Sequence, residues 1–279
     1  MAGNDDQREF WSNQAGPKWV ALQQAMDANM QPVLDGIFAR AGLTSGQTVL
    51  DVGSGTGAST LIAADKVGPE GMVIGADISP SMSDLAEKRA AGRANTRFLV
   101  ADVADYAFDP ASVDNTISRF GVMFFADPVA AMRNIAKSMK PGAPMTFACW
   151  GQIPNNPFFT MPAGLAKEIV GAIPRPDPDA PGPFAFRDPQ RVKDILSAAG
   201  WSDFVCDTTI VHLTPEGTAA EVAAVMSQIG PAEAALTYHK AGPDTRTALI
   251  VALTNALATF QTSDGIRIPA EINYVMARA

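Results

Sequence analysis

Three aspartates are spaced for chemistry. Asp51 closes the run "VLD", Asp77 closes "VIGAD" and Asp102 follows "FLVA", so successive acids stand 26 and 25 residues apart (51 to 77, 77 to 102). The first acid opens a glycine-rich stretch, "DVGSGTGAST", with Gly53, Ser54, Gly55 and Gly57. Glycines there permit unusual backbone angles and let a ligand touch the main chain. Gly53-x-Gly55-x-x-Ala58 also satisfies a dinucleotide fingerprint in form. In such a site a pyrophosphate sits on the helix N-terminus. Asp51, two residues before the first glycine, would repel a pyrophosphate but suits a ligand that carries positive charge. Asp77, followed by Ile78, can accept hydrogen bonds from both hydroxyls of a ribose. Asp102 and Val103 can bond the amino group of an adenine and cover the ring's edge. Ser118, Arg119 and Phe120, in "NTISRFGVMFF", fall near the reacting end.

The elements that must hold these residues have a regular rhythm. Strand-like runs recur at "TVLDVG", "MVIGADI", "TRFLVADV", "VDNTISRF" and "APMTFACW". Helix-like segments lie between them: "ASTLIAADKVG", "SPSMSDLAEKRAAG" and "ADPVAAMRNIAKSMKPG". A 25-residue period is that of a βα unit. Alternating β and α implies a parallel sheet with helices on both faces. Ligands on such sheets bind at the C-terminal strand ends, where all three acids are predicted. Residues 16–42 read as a helix that Pro32 should kink or split, with Gly42 as its C-cap. After Trp150 the rhythm breaks. A helix is predicted within "GQIPNNPFFTMPAGLAKEIVGA". The stretch 174–183 then has five prolines and cannot be regular helix or central strand. "DPQRVKDILSAAGW" restores a helix capped by Asp188, "FVCDTTIVHLT" is a strand, residues 216–263 read as helices, and "GIRIPAEINYVMARA" as a final strand.

S-adenosylmethionine carries an ammonium and a sulfonium and no phosphate, which suits an acid beside the glycines. "VLDVGSGTG", "GADIS", "VADV" and "NTISRFGVMFF", in this order, resemble the motifs of class I S-adenosylmethionine-dependent methyltransferases. Within that group the chain is similar to the small-molecule type represented by ubiquinone/menaquinone C-methyltransferases. The resemblance is strong over 40–150 and looser beyond. It implies an α/β fold: a Rossmann-like seven-stranded, mostly parallel sheet with an antiparallel last strand, carrying helical cap insertions. It implies S-adenosyl-L-methionine as cofactor and a small-molecule acceptor. The chain then divides into an N-terminal helical cap (1–45), a cofactor-binding core (46–150), a lid insertion (151–187) and the rest of the sheet with a helical insertion (188–279, insertion 216–263).

Methyl transfer needs a positioned nucleophile, excluded water and, where the acceptor carries a proton, its removal. The only histidines are His212 and His239. His239, with Arg119, is the expected catalytic candidate, and His212 is the other base to consider. Proximity and desolvation without a dedicated base is the default. No HxH, HExxH or cysteine pair suggests a metal site. An aromatic acceptor wall is expected from Phe10, Trp11, Trp19, Phe158, Phe159, Phe184 and Phe186, which favours a hydrophobic or aromatic small molecule. Two other readings compete with this one. A nicotinamide-dependent oxidoreductase would need a donor such as Tyr-x-x-x-Lys, and none of Tyr106, Tyr238 or Tyr274 has that lysine. A catalytically silent ligand-binding protein is disfavoured by the intact glycine loop.

Composition narrows the class further. Hydrophobic residues make up 47% and charged residues 18% of the 279, an ordinary globular balance. The net charge of −8 repels phosphate backbones, so nucleic acid is not expected as partner. "MAGNDDQREF" has no apolar core of a signal peptide, "TALIVALTNALATF" is too short and too interrupted to span a bilayer, and two scattered cysteines fit reduced thiols. A cytoplasmic protein with no stable membrane insertion is therefore expected.

Overall fold

The computed structural model describes residues 4–175 and 177–279. Seven strands form one sheet: β1 (Thr48–Val52), β2 (Met72–Asp77), β3 (Thr96–Val100), β4 (Asn115–Arg119), β5 (Pro144–Trp150), β6 (Ser202–Leu213) and β7 (Ile268–Arg278), in spatial order β3-β2-β1-β4-β5-β7-β6. The first five strands are mutually parallel, and β7 runs antiparallel to both β5 and β6. β1 and β5 are almost wholly buried, as central strands covered on both faces must be. β6, at one edge, alternates between exposed and covered residues. The last strand of the chain is the antiparallel one, as the resemblance implies, and it lies between β5 and β6.

The crossovers set the layers. The chain moves from β1 outward to β2 and β3 through α4 (Ala58–Val67) and α5 (Pro80–Arg89), then returns and moves the other way from β4 to β5 through α6 (Pro128–Ser138). Right-handed connections running in opposite directions put their helices on opposite faces. The reversal between β1 and β4 opens a crevice at the strand ends.

Before the sheet lie α1 (Asp5–Glu9), a wide π turn (Phe10–Ala15), α2 (Gly16–Ala21) and α3 (Gln23–Ala41). The expected break at Pro32 is not there. α3 runs through Pro32, and the chain leaves helical geometry ten residues earlier, at Leu22 (φ −101°, ψ 12°). A proline cannot bond the carbonyl four residues back. Here that carbonyl, on Ala28, accepts the Thr214 hydroxyl at 3.0 Å, and the next, on Asn29, accepts the Thr214 amide at 3.2 Å. The lost bond is replaced from the end of β6, so the helix continues. Gly42 caps α3 in the left-handed region, as expected (φ +59°).

Past β5 come α7 (Pro157–Val170) and α8 (Pro189–Ala198), the latter capped by the Asp188 carboxylate. Helices α9 (Ala219–Met226), α10 (Gly230–Tyr238) and α11 (Pro243–Leu257) follow β6. α10 and α11 pack against α7, so the two insertions form one helical layer. A short hairpin at 261–266 leads into β7. No described helix is long and apolar enough to cross a membrane.

Candidate functional site

The turn after β1 is built by backbone geometry that alanine would resist. Gly53, Gly55 and Gly57 all have positive φ. A Cβ on Gly53 would stand 2.6 Å from the Gly121 Cα, so β1 and β4 meet backbone to backbone. A Cβ on Gly55 would meet only the Met82 sulfur, at 3.9 Å. Gly53 therefore closes the fold, while Gly55 faces space.

The three acids stand at strand ends with different surroundings. Asp51 is fully buried. Its Oδ2 accepts from Ser59 and Thr60 of α4, both at 2.6 Å, and its Oδ1 is buried without a partner. Burial raises its pKa against those bonds and the nearby Arg119 charge. The Asp77 carboxylate accepts the Gly55 amide and the Ser79 amide, each at 2.8 Å. Burial pushes it up to about 6, although both amides favour the ionised form. Ile78 is half-buried beside it. Asp102 accepts the Ala104 amide at 3.0 Å and also the Asn4 side-chain amide at 3.4 Å, with the Arg8 guanidinium 3.8 Å away. Val103 is buried next to it.

The end of β4 departs from a simple strand. The Ser118 hydroxyl donates to the Val52 carbonyl at 2.7 Å and accepts the Gly121 amide at 3.1 Å, so it latches β4 to β1 and is spent on backbone. Arg119 reaches Asp27 of α3 with one Nη at 3.5 Å, and its other Nη is buried without a partner. Phe120 takes φ +65°, a conformation costly for a bulky residue. That turn lays its ring parallel on Trp150, with centroids 4.4 Å apart.

Trp150 joins the anticipated aromatics. It stacks near Phe158 (6.1 Å) and meets Phe159 edge-on (4.9 Å), and Phe159 meets Phe184 (4.9 Å). Trp11 and Trp19 form a separate group with Phe124, and the exposed Phe10 packs edge-on against Trp11. Phe186 does not belong to the wall: it is fully buried against Phe147 of β5.

Neither histidine is near the strand ends that carry the acids. His239 is exposed at the C-terminus of α10, with Nε2 3.1 Å from the Ala172 carbonyl. It borders Gly171, at the far end of the 14-residue α7 from Phe158, a helix roughly 20 Å long. His212 is exposed on β6, four strand spacings from β1, or roughly 19 Å.

Two features had no signal in the sequence. Arg89 of α5 donates to the Thr56 carbonyl of the glycine loop at 2.7 Å and pairs with Asp27 at 2.8 Å, so Asp27 links the loop to Arg119. The N-terminal segment lies across the strand ends: Asn4 and Arg8 reach Asp102, the Asn4 side-chain oxygen accepts the Ala126 amide at 3.2 Å, and a Cβ on Gly16 would collide with the Ser79 hydroxyl. Gly16 and Pro17 stand at the start of α2, and the contact of Gly16 with Ser79 depends on how that helix docks.

A seven-stranded sheet of this order, with a glycine loop after the first strand and acids after the first three, defines the class I methyltransferase fold. Residues 49–142 match the family described as a methyltransferase domain. The chain is 36% identical over 105 residues to an aklanonic acid methyltransferase of Streptomyces sp., covering 37% of this chain and 48% of that protein. It is 31% identical over 132 residues to a demethylmenaquinone methyltransferase of Staphylococcus aureus, covering 47% and 54%. The chain thus spans about half the length of the curated relatives it matches. Among solved structures, phosphoethanolamine N-methyltransferase 2 of Haemonchus contortus in complex with S-adenosyl-L-methionine aligns with TM-score 0.58 at 17% identity, over 100% of this chain and 60% of that one. That likeness is one of fold.

Proposed function

We propose that the protein is a methyltransferase that binds S-adenosyl-L-methionine at the glycine loop and methylates a hydrophobic or aromatic small molecule. The observation that carries this reading is the loop itself: Gly55 opens toward free space beside Asp51, whose buried Oδ1 lacks a partner. An unpaired buried carboxylate oxygen is costly, and a cationic ligand relieves that cost where a pyrophosphate would raise it. The residues present therefore fit this cofactor. Asp77 would hold the ribose hydroxyls and Asp102 with Val103 the adenine, with Gly53, Ser54, Gly55, Gly57 and Ile78 lining the nucleoside. When bound, S-adenosylmethionine supplies a methyl group activated by sulfonium. The wall of Phe120, Trp150, Phe158, Phe159 and Phe184 would orient a flat apolar acceptor and exclude water. With both histidines distant, positioning and desolvation are the residues' contribution, and an acceptor with an acidic proton would need no base from the chain.

The test is transfer of labelled methyl from S-adenosylmethionine to a panel that includes aklanonic acid, demethylmenaquinone, simple phenols and phosphoethanolamine. Labelling of an aromatic member is expected. Folded protein that gives no calorimetric heat with millimolar S-adenosylhomocysteine would overturn the cofactor assignment, and labelling of phosphoethanolamine alone would overturn the acceptor class.

Residues 1–45 are proposed as a cap, 46–150 as the cofactor-binding unit, 151–187 as a lid and 188–279 as the sheet's completion. Residues 1–3 of the cap and Pro176 of the lid lie outside the described residues. The N-terminal segment rests on Asp102 and Ser79, beside the proposed nucleoside site, through a few polar contacts. Hydrogen exchange in 4–20 and 152–187 is expected to slow when S-adenosylhomocysteine binds, more than in α6 and α8 on the far face. Equal exchange with and without ligand would mean a static cap, and Trp11 and Trp19 would lose their part in enclosing the acceptor.

A further inference from the structure

The two edges of the sheet are not alike. β3 has five residues and carries the exposed Arg97. Shortness and an exposed basic residue are devices that keep a sheet edge from pairing with another chain. β6 has twelve residues and neither lysine, arginine nor proline. Its one strand partner is β7, and among the described residues no backbone group outside β7 bonds residues 205–213. Val205 and Ile210 lie open on this edge, 52% and 51% exposed. A bulge between Ser202 and Val205 ends the regular ladder, so an added strand has to pair from Val205 onward.

The order of side chains says which strand fits. Successive side chains take opposite faces. A second copy of β6, antiparallel across a two-fold axis normal to the sheet, therefore sets odd residues opposite odd and even opposite even. With Asp207 on the axis two like charges would stand opposite each other, which is destabilising. With Thr209 on the axis Val205 falls opposite Leu213, which is already fully buried in its own chain. With Ile210 there, Val205 falls beyond the end of the strand. With Thr208 on the axis Val205 meets Val211, Cys206 meets Ile210 and Asp207 meets Thr209, and symmetry makes each pairing twice. Apolar and β-branched cross-strand pairs of this kind are stabilising. The acids bring no bare charge to the edge, because Asp207 pairs with Arg40 and Asp203 with Arg278 of their own chain.

We infer that β6 is a self-association edge: two copies of the chain pair antiparallel through residues 205–211, with Thr208 on the two-fold axis, and their sheets join into one. The partner is a second copy because the strand's own sequence supplies both halves of every pairing. The inference is independent of the proposed function and concerns the side of the sheet away from the glycine loop.

Light scattering on the whole chain under reducing conditions is expected to give twice the chain mass. Ile210→Lys places a cation against Cys206 on both sides of the axis and should return the mass to that of one chain, with circular dichroism unchanged because Ile210 is exposed. Ile210→Cys brings a thiol opposite Cys206 of the other copy, with Cβ atoms about 5 Å apart, and diamide should convert it to a covalent dimer. Adding Cys206→Ser should abolish that crosslink, since the two substituted positions lie about 13 Å apart in this register. The cysteine variants decide the matter even if Ile210→Lys does not fold. A wild type of single-chain mass at every concentration, a dimer that persists in folded Ile210→Lys, or a crosslink that survives Cys206→Ser overturns the proposed pairing.

Discussion

Asp77→Ala is expected to weaken S-adenosylhomocysteine binding by about 1.5–3 kcal/mol, the usual worth of hydrogen bonds to a charged group, or roughly ten- to a hundredfold. Asp77 is 6% exposed, and each oxygen already accepts one backbone amide, from Gly55 or Ser79. Each carboxylate oxygen keeps a second lone pair for a ribose hydroxyl. The substitution removes those acceptors and releases the Gly55 amide, so loop and ligand contact fail together. The raised pKa adds a pH signature. With its pKa pushed up to about 6, Asp77 in the free protein takes up a proton as pH falls through 6. Two hydroxyl donors favour the ionised form, so the ligand binds that form better. Affinity should hold above pH 7 and fall below about 6, by up to tenfold per pH unit. Asp51 is shifted in the same direction, so Asp77→Ala should flatten the profile without removing it. An unchanged dissociation constant in folded variant would reduce Asp77 to a structural acid, and a pH-independent wild type would rule out its ionisation as a binding determinant.

Gly53→Ala and Gly55→Ala are expected to separate folding from binding. Both positions have positive φ, +68° and +54°, which costs an alanine on the order of 1–2 kcal/mol. At Gly53 the new methyl also meets the Gly121 Cα at 2.6 Å. The approach is equally close from the other side, where a Cβ on Gly121 would meet the Val52 carbonyl at 2.4 Å and the Gly53 Cα at 2.8 Å. The clash raises the cost to roughly 3–5 kcal/mol, or about 10 °C in melting temperature. At Gly55 the methyl points into space, so the melting temperature should fall by only about 2–5 °C while cofactor affinity drops at least about tenfold. Equal melting temperatures for the two variants would contradict this division of labour.

The βα rhythm showed in the sequence because it is local. Each of the first three strand runs ends in an acid, and the glycines follow the first, so the strand ends near Asp51, Asp77 and Asp102 could be placed from spacing alone. What escaped depends on contacts between distant segments. The pattern of "IPAEINYVMAR" marks a strand but names no neighbours. Pro32 reads as a breaker until Thr214 is seen bonding Ala28. Ser118 looked like a ligand group, but its hydroxyl bonds Val52 and Gly121. The histidines were singled out by type, and type carries no position. Asp27 and Arg89 sit on helices whose sequences give no reason to expect a shared ion-pair chain with Arg119.

The place of β7 has a consequence for how the chain is made. Its ladders, seven residue pairs with β5 and ten with β6, close only after residue 278 has left the ribosome. During synthesis the strands of the half-sheet bearing the glycine loop emerge first, and until β7 follows, β5, "PMTFACW", can pair with β4 on one side only and keeps an open apolar edge. That nascent intermediate offers a template for another chain. The final pairing is also among the most distant in sequence, so it forms slowly. A message broken before codon 268 would yield a product with the proposed nucleoside site intact in sequence and an open sheet edge, a substrate for chaperones rather than a working domain.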